Sequence, residues 1–391
     1  MSNSPSIALP HVDFDPGIFN AVKNNYGDSR LFLGEPAGLL DTVNDPHPKL
    51  WAFWRSLRSL DWDTNEFDFS PCLLEFKTKD PMVSQCMIQT LGWQWEGDTM
   101  AANSIMAVGN HFVTNSALKV VWDQIVANEN LHATTYSEIV RYSFDTPNDV
   151  LTQVLGIKES MSRMQVIGKV MGESYRTGLK VSLGLVSRDS DEAYYAAFMF
   201  TVALFLLERV NFMGSFGVTG AIAETGDFMP ICKAVQRIAQ DEVEIHVNVG
   251  KYVLATELAT PRGRACWKAN RQVIDDMLLE VRASEMRWRN FQRDSGSIVP
   301  NVGWDEIGAF INYNVADACD VLERPVDFTA PLTMPLPYMT KWLDVAATQA
   351  SPQEQDNGQY RVNVVKHDDH GKQFAFDLYR PTAQNPNPFK L

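Results

Sequence analysis

No run of basic residues occurs in this chain, and acidic side chains outnumber basic ones 48 to 34, for a formal charge of −14 over 391 residues. That balance argues against a phosphate backbone as the main partner, so nucleic-acid binding is set aside. Cysteine is scarce and unpatterned: Cys72, Cys86, Cys232, Cys266 and Cys319 are odd in number and form no Cys-x-x-Cys pair. Such a set argues against a disulfide framework and for a reducing, cytoplasmic setting. The opening Met-Ser-Asn-Ser-Pro lacks the basic and apolar regions of a secretory signal. The most apolar run, Ala196 to Leu207, closes on Glu208-Arg209 after twelve residues, too short for a bilayer, and is expected to be a core helix with no membrane role. There is no Gly-rich phosphate loop, no catalytic cysteine cluster, no repeat, and little alternation of the kind that makes strands.

What the chain does have is apolar content, 45% of residues, laid out with helical periodicity from about residue 79 onward. Helices are expected near 48–60, 79–109, 115–143, 158–186, 190–218, 227–257, 261–293 and 304–322, with a short one around Lys341 to Ala347. Thr114-Asn115 can cap the third and Asp227 the sixth, and Pro261 suits a first turn. Residues 1–30 read as an irregular arm, 31–348 as one all-α helical domain, and the polar, proline-dotted 349–391 as a flexible tail.

Ionisable groups inside apolar helices are costly unless they are paired or bound to metal. Four places have this character: Asp98; Glu129 with His132; Glu208, at the end of the apolar run; and Glu242 with His246. At about 100° per residue, Glu129, His132 and Tyr136 share an arc of about 60° on one helix. Glu-x-x-His is the half-site of carboxylate-bridged di-metal proteins built in helical bundles. One carboxylate, then a Glu/His pair, then the same again, is the order such a site requires, and its oxygen and imidazole donors suit iron or manganese. A phenol one turn beyond the histidine puts an oxidisable ring beside that site.

With these residues in view, the chain resembles the small, radical-generating subunit of class I ribonucleotide reductase, a ferritin-like helical bundle, from about residue 50 to about 362. Leu-Arg-Ser-Leu-Asp-Trp62, Gln-Thr-Leu before Asp98, and Glu129-x-x-His132-x-x-x-Tyr136 keep that family's spacing. So do Glu208-Arg-Val-Asn-Phe212-Met-Gly-Ser-Phe216, Ile238-Ala-Gln-Asp241-Glu242, Pro-Leu-Pro-Tyr338, and Pro352-Gln-Glu followed by Tyr360. The resemblance implies that Asp98, Glu129 and His132 bind one metal and Glu208, Glu242 and His246 the other, with a carboxylate bridging. It implies a radical on Tyr136 in a pocket of Phe212, Phe216 and Ile238, an electron path that begins at Trp62 with Asp241 and His132, and a hand-over through Tyr360 to the large catalytic subunit. It further implies a homodimer that reacts with O2, makes no nucleotide contact of its own, and docks its partner through the C-terminal tail, where Phe389 and Leu391 offer apolar anchors. The phenol favours two iron ions per chain; manganese fits the same ligands.

One departure stands out. The family's second pair is Glu-x-x-His, whereas Glu242 and His246 are separated by three residues. An i,i+4 pair still shares a face, and the extra residue is expected to be absorbed as a π-bulge within 238–247. Glu244 competes with the second pair from the far side of the helix, and Glu96 competes with Asp98. His367 and His370 in the tail read as a solvated turn, His111 as structural, Tyr142 as off the site, and Trp51, Trp54, Trp93 and Trp95 as packing aromatics. The fifteen methionines read as core filling. Two other functions fit a di-metal bundle: a stand-alone oxidase or hydroxylase, for which Trp62, Tyr136 and Tyr360 would be coincidental, and metal storage, which has no use for the phenol.

Overall fold

The computed structural model describes residues 30–35, 40–44 and 46–345. The expected residue 349–391 tail, including Tyr360, His367, His370 and the terminal anchors, lies outside them, as does nearly all of the 1–30 arm. Among the described residues the chain is helical, with no strand and one isolated bridge between Phe32 and Val113. In chain order the helices are α1 (Pro48–Ser59), α2 (Cys72–Thr78), α3 (Pro81–Phe112), α4 (Ser116–Ser143), α5 (Pro147–Leu155), α6 (Lys158–Ser182) and α7 (Asp191–Leu206). They continue as α8 (Phe212–Ala223), α9 (Met229–Asp241), α10 (Val247–Leu258), α11 (Pro261–Ala269), α12 (Arg271–Asp294), α13 (Trp304–Val321) and α14 (Pro337–Trp342). Two π-turns, Leu207–Asn211 and Glu242–His246, join α7 to α8 and α9 to α10 without a break.

Local chemistry sets the starts of the long helices. Asp80 accepts from the Met82 N–H ahead of Pro81, Asn115 from Leu118, Ser190 from Ala193 and Thr260 from Gly263. The Asn115 cap and the first-turn Pro261 are where the sequence places them. The Asp227 cap is not: Phe228 adopts a left-handed conformation (φ 53°), the helix starts at Met229, and no side chain caps it. Asp227 instead pairs with Lys79 at 2.5 Å, while the Phe228 N–H is taken by Glu75 Oε1 at 2.9 Å. The Phe228 ring is fully buried against Phe76, which holds this backbone in place.

Other boundaries differ for identifiable reasons. The expected helix 261–293 divides at Asn270, whose side chain turns back onto the Cys266 carbonyl and so competes with helix continuation. The short C-terminal helix starts at Pro337 rather than at the expected Lys341, because Pro337 supplies a natural first turn, and runs to Trp342; residues 346 and 347 of the expected span lie outside the described ones. The short helices α2 and α5 were not expected at all.

The α7–α8 segment is apolar all round, which places it at the centre of the bundle. Because the π-turn carries the helix past Glu208-Arg209, the continuous helix Asp191–Ala223 spans 33 residues, longer than the twelve-residue run implies. By length and composition it could cross a membrane, yet 94% of its most apolar stretch is buried inside this molecule. Helices α3 and α4 pack together on one side of it, α9 and α10 lie against α4, α7 and α8, and α6, α12 and α13 close the rest.

Candidate metal centre

Four neighbouring helical segments each project a buried charge toward one point. Asp98 comes from α3, Glu129 and His132 from α4, Glu208 from the first π-turn, and Glu242 and His246 from the second. All six are at most 3% exposed. They form two groups whose ligand atoms lie within 4.8 Å of one another: Asp98, Glu129, His132 and Glu242, and Glu129, Glu208, Glu242 and His246. Both glutamates Glu129 and Glu242 therefore belong to both groups, a more symmetric arrangement than one bridging carboxylate.

The second π-turn is the extra residue of the sequence made visible. The Val247 N–H bonds to the Glu242 carbonyl, five residues back, so the helix widens by one residue and still delivers both side chains inward. The first π-turn does the same at Glu208, with the Phe212 N–H on the Leu207 carbonyl, and no spacing in the sequence announced it. Glu244 is exposed, and Glu96 bonds to Ser160, so neither competitor joins the cage. His111 bonds to Ser182 at 2.7 Å, and Tyr142 is 37% exposed; both lie apart from the cage residues.

The cage is polar but internally unsatisfied. Of nineteen buried side-chain nitrogen and oxygen atoms without a hydrogen-bond partner among the described residues, ten belong to these six side chains. Both oxygens of every carboxylate and Nδ1 of both histidines are among them. The Nδ1 atoms come close, to 3.2 Å (His132) and 2.8 Å (His246) of Glu242, without aligned hydrogen bonds. Native interiors rarely leave such atoms unpaired, and a pair of cations, one in each group, would give every one of the six side chains a partner.

The outer nitrogens are held firmly. His132 Nε2 lies 3.2 Å from Asp241 Oδ2, the same oxygen that accepts the Trp62 indole N–H at 2.8 Å. His246 Nε2 lies 3.0 Å from Asn128 Oδ1, and the Asn128 amide donates in turn to Asp241 Oδ2 at 3.1 Å. With an acceptor on each Nε2, both imidazoles turn Nδ1 toward the cage, the tautomer a metal needs. Trp62 also lies nearly parallel to His132, ring centroids 6.0 Å apart.

Without cations the charges redistribute as protons. Burial, reinforced by Glu129, pushes Asp98 well above the usual carboxylate range, and burial with Glu242 and Glu129 does the same for Glu208. Burial alone would raise Glu242 too, but His246 and His132 outweigh it and hold that carboxylate far below its ordinary value. Burial works against a charged His246, yet Glu242 and Glu129 carry it up to about 10; His132 is likewise raised, by Asp241, Glu129 and Glu242.

Tyr136 is fully buried, one turn beyond His132 on α4, and its hydroxyl has no hydrogen-bond partner among the described residues. Burial raises this phenol well above its normal range, with Asp98, Glu242 and Glu129 adding to the effect. Phe212, Phe216 and Ile238 are fully buried on α8 and α9, and the two phenyl rings stack at 5.9 Å.

Sequence reading missed Asn128 and a second buried network. Arg163 grips Glu285 through two bonds of 2.6 Å and reaches the Asn211 carbonyl, at the end of the first π-turn, at 2.6 Å; Asn211 returns a bond to Glu285. The guanidinium also lies over Trp93 at 3.5 Å. A signal was present: Arg163 and Glu285 sit within the apolar stripes Met164, Ile167, Met171 and Leu278, Val281, Trp288 of their helices.

Comparison with known proteins decides the family. The model of the family described as "Ribonucleotide reductase, small chain" matches residues 42–332. The chain belongs to the ribonucleotide reductase small-chain family. It is 21% identical to the ribonucleoside-diphosphate reductase subunit beta of Enterobacteria phage T4, over 90% of this chain and 96% of that one. It is 20% identical to the ribonucleoside-diphosphate reductase 1 subunit beta of Escherichia coli O157:H7, over 89% and 95%. Among solved structures, the ribonucleotide reductase R2 subunit from Clostridium botulinum superposes with a TM-score of 0.68 at 12% identity, covering 85% of this chain and 99% of that one. The dimanganese(II)-NrdF of Streptococcus sanguinis gives 0.61 at 16% identity, over 76% and 96%. This ribonucleotide reductase small chain thus has the helical, ferritin-like fold expected of it.

Proposed function

We propose that this small chain stores an oxidising equivalent on Tyr136 and delivers it to a large catalytic subunit that reduces ribonucleoside diphosphates, the substrate level named for its relatives. The observation that carries the reading is a fully buried phenol, without a hydrogen-bond partner among the described residues, beside a cage of ten ligand atoms that likewise lack one. Asp98, Glu129, His132 and Glu242 would hold one ion, and Glu129, Glu208, Glu242 and His246 the other. Iron is the preferred metal and manganese the alternative, with donors that suit both. A bound metal pair would supply, with O2, the oxidising equivalent, and Tyr136 would give up an electron and its phenolic proton to the O2-derived oxidant. The chain's own part is protection and routing. Phe212, Phe216 and Ile238 keep water and reductants from the ring. Asp241 holds the Trp62 N–H and can accept that proton as the indole gives up an electron, so Trp62 is the exit.

Two measurements test this. After loading with ferrous ion and exposure to air, electron paramagnetic resonance is expected to show a tyrosyl signal with about two irons per chain, the occupancy of a two-metal clamp. Tyr136→Phe should keep the metal and lose both the signal and nucleotide reduction; a signal that survives the substitution refutes the assignment. A homodimer is expected, with the tail carrying Tyr360 and the docking anchors. Truncation after Tyr360 should abolish binding of the large subunit, and unchanged binding would remove the tail from the mechanism.

A further inference from the structure

Two helices that contribute no residue to the cage, α6 and α12, meet behind the first π-turn, and their contact there is charged. Arg163 and Glu285 are at most 1% exposed, and the guanidinium lies over Trp93 at 3.5 Å and over Trp288 at 5.2 Å. A buried ion pair adds little stability over apolar side chains of the same size. What the pair touches therefore says more about its role than its charge does.

It touches Asn211, the last residue of that π-turn. The Asn211 carbonyl accepts from Arg163 Nη2 at 2.6 Å, and the Asn211 amide donates to Glu285 Oε1 at 2.7 Å, so one residue is held by backbone and side chain together. One turn along, Arg163 Nη1 donates to Ser215 Oγ at 3.0 Å. Gly214 lets the pair come this close, since a Cβ there would stand 3.2 Å from Glu285 Oε2.

π-turns are rare, so contacts beyond the helix's own ladder have to select them. The second π-turn finds these on its own helix, where the Asn248 amide donates to the carbonyls of Val243 at 3.2 Å and Glu244 at 2.9 Å. At the first, the donor to the turn's carbonyl comes from α6. Asn211 lies three residues after Glu208 and one before Phe212, whose ring packs against Trp93 with centroids 5.1 Å apart. Trp93 is the same indole that carries the guanidinium.

We infer that Arg163 and Glu285 are positioning residues: by fixing Asn211 they hold the first π-turn in the register that points Glu208 into the cage. Neither side chain is a ligand. The inference rests on the reading of the cage as a two-ion site, and adds what keeps one of its carboxylates in place.

The test combines Arg163→Met with Glu285→Leu in the full-length chain, so that no lone charge is left buried. Crystals of the metal-free double variant are expected to show the Glu208 carboxylate moved away from Glu129 and Glu242, with Asp98, Glu129 and His132 in place. Titration with manganous ion, followed by the electron paramagnetic resonance of the free ion, should give two tight ions in the parent. The variant should keep one and bind the other about 10–100-fold more weakly, the range for lost outer-shell support. Ser215→Ala, which gives up only the hold on α8, should bind both ions as the parent does. Should the double variant not fold, Gly214→Ala, which pushes Glu285 off the turn without removing a charge, is read in the same two ways. An unmoved Glu208 with two ions at parent affinity overturns the inference. So does equal weakening of both ions, the mark of a generally loosened bundle, or the same split in Ser215→Ala. A parent that binds no ion would refute the two-ion reading instead, and the position of Glu208 in the metal-free crystals would still decide the role of the pair.

Discussion

Replacing Asn128 by leucine preserves the bulk of the side chain and removes both of its polar contacts, to His246 Nε2 and to Asp241. Asn128 Oδ1 is the acceptor that faces that nitrogen, so the imidazole loses the group that fixes its tautomer. Outer-shell changes of this kind typically lower metal affinity about 10–100-fold. The loss is expected at the second group, which contains His246, so a titration should give one tight and one weakened ion per chain. Two equally tight ions would assign Asn128 no such role. Asn128→Asp keeps the acceptor and gives up the donor toward Asp241, and should recover most of the affinity. The contrast between Asn128 and the six cage residues explains what could be read from sequence. A carboxylate or imidazole in an apolar helix carries a large desolvation cost and therefore announces a reason for being there. A half-exposed asparagine costs little, and its role depends on two residues more than a hundred positions away. Arg163 and Glu285 stand between these cases: each breaks an apolar stripe, but their pairing across α6 and α12 is a fact of tertiary structure.

At the level of the element, the second π-turn behaves as an insertion that the helix has absorbed. Deleting the exposed Glu244 would restore Glu-x-x-His and allow the segment to close as regular α-helix, with the register of α10 unchanged. Such a deletion is therefore expected to leave cooperative unfolding intact, with a melting temperature within a few degrees of the parent, since surface changes usually stay within about 0.5 kcal/mol. Deleting Val249, inside α10, should do the opposite, because every later residue would rotate by about 100° and bury its polar face. Thermal melts of the two deletions decide it: equal damage would mean that the π-turn is as tightly specified as the helix after it. This turn was legible because Glu242 and His246 carry their spacing in the sequence. The turn at Glu208 was not, since no second ligand on that helix marks a distance. The long helices were legible from their periodicity, whereas α2 and α5, of seven and nine residues, are too short to show more than two turns of pattern. The division at Asn270 was hidden because the apolar spacing runs through it.

Across the whole molecule, the cage ties stability to pH in a direction set by whether metal or protons fill it. In the metal-free chain Asp98, Glu208, His132 and His246 are all raised, so each favours its protonated form when folded. Groups raised in this way contribute stability that is complete below their unfolded values and is lost as pH climbs through the folded ones. For the histidines that window opens near 6.5 and extends, for His246, to about 10. Glu242 has the opposite sign: held below its ordinary value, it stabilises above about 4.5 and loses that contribution only on acidification. Between pH 6.5 and 10 the raised groups therefore govern, and the melting temperature of the metal-free protein should fall steadily. Metal needs the same donors deprotonated, so its affinity rises over the same range, and with it the stabilisation that binding confers. The gap in melting temperature between loaded and metal-free protein should consequently widen as pH increases. Calorimetric melts of both forms at fixed free metal, taken at pH 6.5, 8 and 9.5, measure that gap directly. A constant gap would mean that the cage holds no exchangeable protons when empty, and that the four carboxylates and two imidazoles are folded around something other than a site in which cations replace protons.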